Sequence, residues 1–144
     1  MFVRQIDTVI TIDAAPERVW AILTDFARVS SWNPFITSIS GDLAPGSHLE
    51  VDIEPPGMRA MRFKPRVEVL KPQRELIWLG RAFIPGLFDG RHYFRLADDK
   101  GGTRFEHGET FRGLLVPLLR GTFGAIEEGF AAMNAALKRK AERF

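Results

Sequence analysis

From about Leu115 to Phe144, apolar residues return every three or four positions: Leu115, Leu119, Phe123, Ile126, Phe130, Met133, Leu137, Ala141 and Phe144. That period lays a single apolar stripe along a helix. Pro117 falls where a first-turn proline is tolerated, and Lys138, Arg139, Lys140 and Arg143 crowd the last turns, where cations suit the helix dipole. At about 1.5 Å per residue such a helix is roughly 40 Å long, the width of a small domain. It cannot stand in water with that stripe exposed. The rest of the chain must wrap it, and the rest reads mostly as strands.

Phe2 to Ile12 alternates, with Ile6, Ile10 and Ile12 on one face, and predicts a first strand. Pro16 opens a short helix with Val19, Trp20, Leu23 and Phe26 on its buried side. Asp25 stops it or caps a second short helix running to Ser31, and Pro34 then biases Asn33 away from helical angles. Ile36 to Gly41 is a weak strand, and Leu49, Val51 and Ile53 alternate with acidic residues in a clear one. Met61, Phe63, Val67 and Val69 predict a fourth strand, with Pro65 marking an edge or a bulge. Glu75 to Phe83, Arg91 to Leu96 and Thr103 to Arg112 follow, the last two joined by the turn Asp98–Gly102. Hairpin-length links imply an antiparallel meander. The expected fold is α+β: a curved seven-stranded antiparallel sheet wrapped around the C-terminal helix, two short helices between its first strands, and one domain over residues 1–144.

Composition excludes several classes. Apolar residues make up 45% and charged residues 26%, with no apolar run of about 18 that would span a membrane. The opening Phe2-Val3-Arg4-Gln5-Ile6-Asp7 lacks a signal peptide's basic-then-apolar order. With no cysteine, disulfides, thiol nucleophiles and thiolate metal sites are all excluded, and a cytoplasmic protein fits best. The net charge is only +2, so the pI of 9.3 overstates basicity. One basic cluster stands out: Arg59, Arg62, Lys64, Arg66, Lys71 and Arg74. It reads as a solvated strand face, with transient contact to acidic lipid headgroups at a membrane surface, or to a polyanion, as the rival. No aromatic-interleaved nucleic-acid motif is present.

Several local motifs carry a resemblance. Ile12-Asp13-Ala14-Ala15-Pro16-Glu17-Arg18-Val19-Trp20 forms a strand-to-helix junction, Trp32-Asn33-Pro34-Phe35 a stop, and Gly101-Gly102-Thr103-Arg104 with Glu109-Thr110-Phe111-Arg112-Gly113 a final hairpin. Together, at this spacing, they resemble the START/polyketide-cyclase (SRPBCC) superfamily, and more narrowly its bacterial polyketide cyclase/dehydrase and lipid-transport branch. The resemblance spans nearly the whole chain. It implies a helix-grip fold with a deep apolar cavity between sheet and long helix. Relatives hold lipids, sterols or polyketides there, usually without metal or cofactor. Some catalyse ring closure or dehydration, many only carry, and some assist other proteins, so function does not follow from the fold.

Three histidines are available. His48 shares a face with Glu50 and Asp52 and reads as solvent-facing. His92 shares a face with Phe94 and Leu96, and His107 with Phe105, Glu109 and Phe111. If those faces are concave, His92, His107 and Glu109 are polar groups in a greasy wall, the layout of a ligand site. They then act as general base and acid, orient a ligand, or simply satisfy one another. No short two-histidine spacing presents a metal site, so no metal is expected, and the resemblance implies no cofactor. The candidate ligand-binding side chains are Trp32, Phe35, Phe63, Trp78, Phe94, Phe105, Phe111, Phe123, Ile126 and Phe130, with Phe83 and Phe88 among the further converging aromatics.

The long helix carries Gly121, Gly124 and Gly129, each costing up to about 1 kcal/mol relative to alanine. Gly129 adjoins the stripe, where its bareness admits a ligand or a bulky side chain, or merely permits a bend. The apolar links around Pro55-Pro56-Gly57-Met58 and Ile84-Pro85-Gly86-Leu87-Phe88 are candidate gates. The reading is a monomer or homodimer that encloses a small hydrophobic or amphipathic ligand. A cyclase- or dehydratase-type enzyme is its rival, and a partner-protein module the third possibility.

Overall fold

In the computed structural model, which describes residues 2–82 and 84–143, Lys100 and Gly101 take positive φ values of 55° and 90° and reverse the chain between two long strands. These are β7 (Phe88–Asp99) and β8 (Gly102–Arg112), paired antiparallel from Asp99 opposite Gly102 to Asp89 opposite Arg112. On the far side of β8 lies β1 (Val3–Ile12), with Val3 opposite Arg112 and Ile12 opposite Thr103. β6 (Glu75–Ala82) flanks β7, and β5 (Arg66–Lys71) forms the edge, giving the order β1-β8-β7-β6-β5. Phe83, expected to end β6, lies outside the described residues.

A second sheet, β2-β3-β4, comprises β2 (Ile36–Ser40), β3 (Glu50–Ile53) and β4 (Met61–Phe63). The expected seven-stranded sheet is therefore eight strands in a five-stranded and a three-stranded sheet. Met61–Val69, expected as one strand, breaks at Lys64-Pro65, where proline has no N–H for a ladder. The Pro65 carbonyl still accepts from Leu49 N at 2.8 Å and Val67 N donates to Ser47 O at 2.8 Å, so an isolated His48–Arg66 bridge stitches the two sheets at the seam.

Pro16 starts α1 (Pro16–Thr24), whose buried residues are Val19 and Leu23; Trp20 is half-buried. A 3₁₀ turn over Phe26–Ser31 follows. The Asn33 carboxamide oxygen then accepts from the backbone N–H groups of Phe35 and Ile36, both at 2.9 Å, and so aims the chain into β2.

The C-terminal segment departs from the expected continuous helix. Val116–Thr122 is 3₁₀, and α2 runs only from Phe123 to Ala141, 19 residues or about 28 Å. Gly121 and Gly124 flank the junction, and glycine's poor helix propensity favours a break there. Upstream the apolar stripe is only partly covered, Leu115 and Leu119 being half-buried. Within α2 it holds: Phe123, Ile126, Phe130, Met133, Leu137 and Ala141 are all buried. Phe144 lies outside the described residues.

The end of α2 is fastened to α1. Arg18 Nε donates to Ala141 O at 2.6 Å, and its Nη2 donates to Arg143 O at 2.6 Å, filling carbonyls that have no partner inside the helix. The Glu142 carboxylate accepts from Asp13 N at 2.8 Å and from Lys138 Nζ at 2.6 Å. Those contacts hold its carboxyl below the usual range, the Lys138 hydrogen bond being the larger cause.

Candidate functional site: a cavity between the sheets and the C-terminal helix

Strand alternation points Trp78, Gly80 and Ala82 of β6, Gly90 and His92 of β7, and Glu109 and Phe111 of β8 into one space. Two small residues in that floor, Gly80 and Ala82, leave it hollow, while the space over Gly90 is taken by the Glu109 carboxylate. Val51 and Ile53 of β3 with Met61 and Phe63 of β4 form the opposite wall, while Leu119, Thr122 and Ile126 close one end. The resulting cavity measures about 480 Å³ and is predominantly apolar, within the range of small-molecule sites.

Of the aromatic and apolar residues read as ligand-binding, Phe35, Phe63, Trp78, Phe111 and Ile126 line the cavity, as do the polar His92 and Glu109. The structure places the others elsewhere. Phe94, Phe105, Phe123 and Phe130 are at most 1% exposed and belong to the solid core, and Trp32 packs on that core from outside. Phe94, Phe105 and Phe130 lie farther along, where α2 sits directly on the sheet, while Phe123 packs against the lining residues Phe88 and Phe111. His107 is completely buried behind His92, its ring stacked 4.1 Å from that of Phe130. His48 is exposed.

Of the two apolar links, 55–58 supplies Met58 and 84–88 supplies Phe88 to the lining, while Ile84 is 64% exposed. Arg62 stands at the rim. It is not a free cation: Nε and Nη2 reach the two Asp52 oxygens at 2.7 and 3.1 Å, and Nη1 reaches Glu50 at 3.0 Å. The Arg62 hydrogen bond in turn holds the Asp52 carboxyl below its ordinary range.

Behind the polar pair runs a chain of hydrogen bonds. Glu109 Oε1 lies 3.2 Å from His92 Nδ1, and His92 Nε2 lies 2.8 Å from His107 Nε2. His107 Nδ1 meets Asn134 Oδ1 at 2.8 Å, and Asn134 Nδ2 donates to Thr8 Oγ1 at 2.8 Å. Thr8 Oγ1 donates to the His107 carbonyl at 2.6 Å. The chain thus joins β8, β7, α2 and β1. Burial pushes the His107 imidazole well below its ordinary pKa, and the neighbouring His92 adds to this, while the hydrogen bond to Asn134 opposes it.

Gly90 belongs to the same arrangement, because a Cβ there would collide with Glu109 Oε2. Sequence reasoning missed Thr8 and Asn134. Asn134 carried a signal, being a polar residue four positions after Phe130 and three before Leu137 on the buried side of α2. Among the described residues no trio of histidine and acidic side chains is gathered as a metal site requires.

A bent antiparallel surface closed over a terminal helix, with an apolar hollow between, defines a helix-grip protein. The chain belongs to the family described as polyketide cyclase / dehydrase and lipid transport, whose sequence profile matches residues 4–142. Its fold is similar to that of the Zhui aromatase/cyclase from Streptomyces sp. R1128, at 16% identity and a TM-score of 0.79, covering 99% of this chain and 95% of that one. It is likewise similar to the di-domain ARO/CYC BexL from the BE-7585A biosynthetic pathway, at 15% identity and a TM-score of 0.79. That match covers 99% of this chain but 51% of BexL, so the chain spans about half of the di-domain protein's length. Ara h 8.0201 matches at 15% identity and a TM-score of 0.71, covering 97% of this chain and 98% of that one. Among curated protein sequences the chain has no match. Among the described residues no helix is long and apolar enough to cross a membrane.

Proposed function

We propose that the protein binds one small hydrophobic or amphipathic molecule between its sheets and C-terminal helix. The observation that carries this reading is the hollow itself: about 480 Å³, walled by apolar side chains, with Glu109 and His92 as a polar minority. A core without a ligand would be expected to close at interior packing density, because an empty apolar space forfeits contacts. Family membership supports the same reading. Native mass spectrometry of freshly purified protein, with displacement of a naphthalene-sulfonate or fluorescent fatty-acid probe, tests it. The absence of both a co-purified mass and a saturable probe signal would sink it.

The 3.2 Å approach of His92 to Glu109 in the cavity wall favours a second reading, acid–base chemistry on the bound molecule. On that reading Glu109→Gln abolishes turnover while ligand affinity stays within about tenfold. Equal turnover by the variant excludes it.

A further inference from the structure

We infer that Thr8 and Asn134, remote from the cavity, fix the hydrogens along the polar chain so that the inner pole offers its ligand only lone pairs, and that the ligand is a neutral apolar molecule led by a hydroxyl or N–H donor. The statement about the ligand rests on the binding reading above; the statement about the hydrogens does not.

The His107 carbonyl can only accept, so Thr8, 2.6 Å away, spends its one hydroxyl hydrogen there. Toward Asn134, Thr8 then has only a lone pair. The group facing it at 2.8 Å must be the amide NH₂, and the carboxamide cannot be turned round. Asn134 Oδ1 therefore faces His107, and His107 Nδ1 holds a hydrogen.

His107 is wholly buried among the rings of Phe94, Phe105 and Phe130, an environment that opposes a second proton. Its Nε2 is therefore bare, and His92 Nε2, 2.8 Å away, carries the hydrogen between them. Only His92 Nδ1 and Glu109 Oε1 remain, 3.2 Å apart. Two lone pairs would repel at that distance, so one proton sits between them, on the nitrogen or on the oxygen.

Either placement leaves Glu109 Oε2 without a hydrogen. That oxygen lies over Gly90 in the cavity floor, where the absent side chain makes room for it. Among the described residues, the other side chains lining the cavity that carry a charge or a polar hydrogen are Arg62, Thr122 and Trp78, whose indole N–H is a donor separate from Glu109 Oε2. Arg62 is held by Glu50 and Asp52 at the rim, and the Thr122 hydroxyl donates to Leu119 O at 2.7 Å. A ligand carboxylate would meet Oε2 with no donor between them. An alcohol, phenol or amide N–H completes a hydrogen bond instead. Thr8 and Asn134 are thus positioning residues for a site they never touch.

Two measurements test this. Long-range ¹⁵N–¹H NMR of histidine-labelled protein should show His107 as the Nδ1–H tautomer in the wild type and in Thr8→Ser, which keeps the hydroxyl. Thr8→Val frees the carboxamide to turn and should give a mixture. An Nε2–H wild type, or a Thr8→Val spectrum identical to it, overturns the assignment of the hydrogens. In the second measurement, calorimetric titration with 2-naphthol, 2-methoxynaphthalene and 2-naphthoate should favour 2-naphthol by about tenfold or more. Glu109→Leu should erase that preference. Equal binding of the methyl ether and the naphthol overturns the donor rule and leaves the cavity reading standing. Failure of all three to bind overturns both.

Discussion

The ring of Phe35 lies against Gly129 where a side chain would have to go, and meets Phe130 edge-on with ring centres 5.3 Å apart and planes at 81°. The bare spot in α2 is thus filled by the protein's own aromatic group. Gly129→Ala gains helix propensity of up to about 1 kcal/mol but forces Phe35 aside, and overpacking typically costs about 1–3 kcal/mol. A net loss near 1 kcal/mol in urea unfolding is expected. Gly124 is the control: a Cβ there meets nothing within 4 Å, so Gly124→Ala should stabilise by about 0.5–1 kcal/mol.

The hollow can be plugged from its floor. At Gly80 an added Cβ would find Pro65 Cβ at 3.8 Å and the Gly90 carbonyl at 4.0 Å, both ordinary contacts. Gly80→Leu should therefore fold, with stability within about 1 kcal/mol of wild type, since it fills space without displacing packed atoms. Probe affinity should fall by about tenfold or more in a displacement titration. Unchanged affinity would place the ligand elsewhere.

Stability should depend on the His107 proton. Its folded pKa lies well below the ordinary 6.5, so the unfolded chain binds a proton that the native protein refuses. The stabilisation is complete above about pH 6.5 and is lost as pH falls from there toward the folded value, at up to about 1.4 kcal/mol per pH unit. Urea titrations at pH 7, 6 and 5 should show this slope. His107→Gln, though less stable at pH 7, should show a shallower one.

Arg18 should matter more than its exposure suggests. Arg18→Met keeps most of the aliphatic stem but releases the carbonyls of Ala141 and Arg143. Because the guanidinium is largely solvated, a loss of about 1 kcal/mol is expected, together with faster amide exchange in the last turn of α2.

Much of this was legible in the chain. Period-two and period-four patterns located the strands and the buried stripe from Phe123 to Ala141, because burial of one face is what those patterns encode. His92 and Glu109 were readable as inward-facing from their neighbours Phe94 and Phe111. Two things were not. The division at Pro65 was visible only as an irregularity, since whether a strand bends or breaks depends on what its partner strand offers. The boundary between hollow and solid core was invisible, because Phe94 and Phe111 alternate identically along their strands. Phe94 is enclosed by Trp78, Phe105 and the two histidines, whereas Phe111 packs on Phe88 and Phe123 and still borders the void. Asn134 stood out as a polar residue on the buried stripe, but its role was not legible because its partners lie 27 and 126 positions away.

The two extremities of α2 are secured unequally. At Ala141 the helix is riveted to α1 through Arg18 and to the end of β1 through Glu142, whereas at Phe123 it continues a seven-residue 3₁₀ run that has no side-chain cap. Leu119, Thr122 and Ile126, which shut the cavity, sit around that looser extremity. On the binding reading proposed above, that extremity, rather than the one riveted at Ala141, is where the rod would part from the sheets to admit a guest.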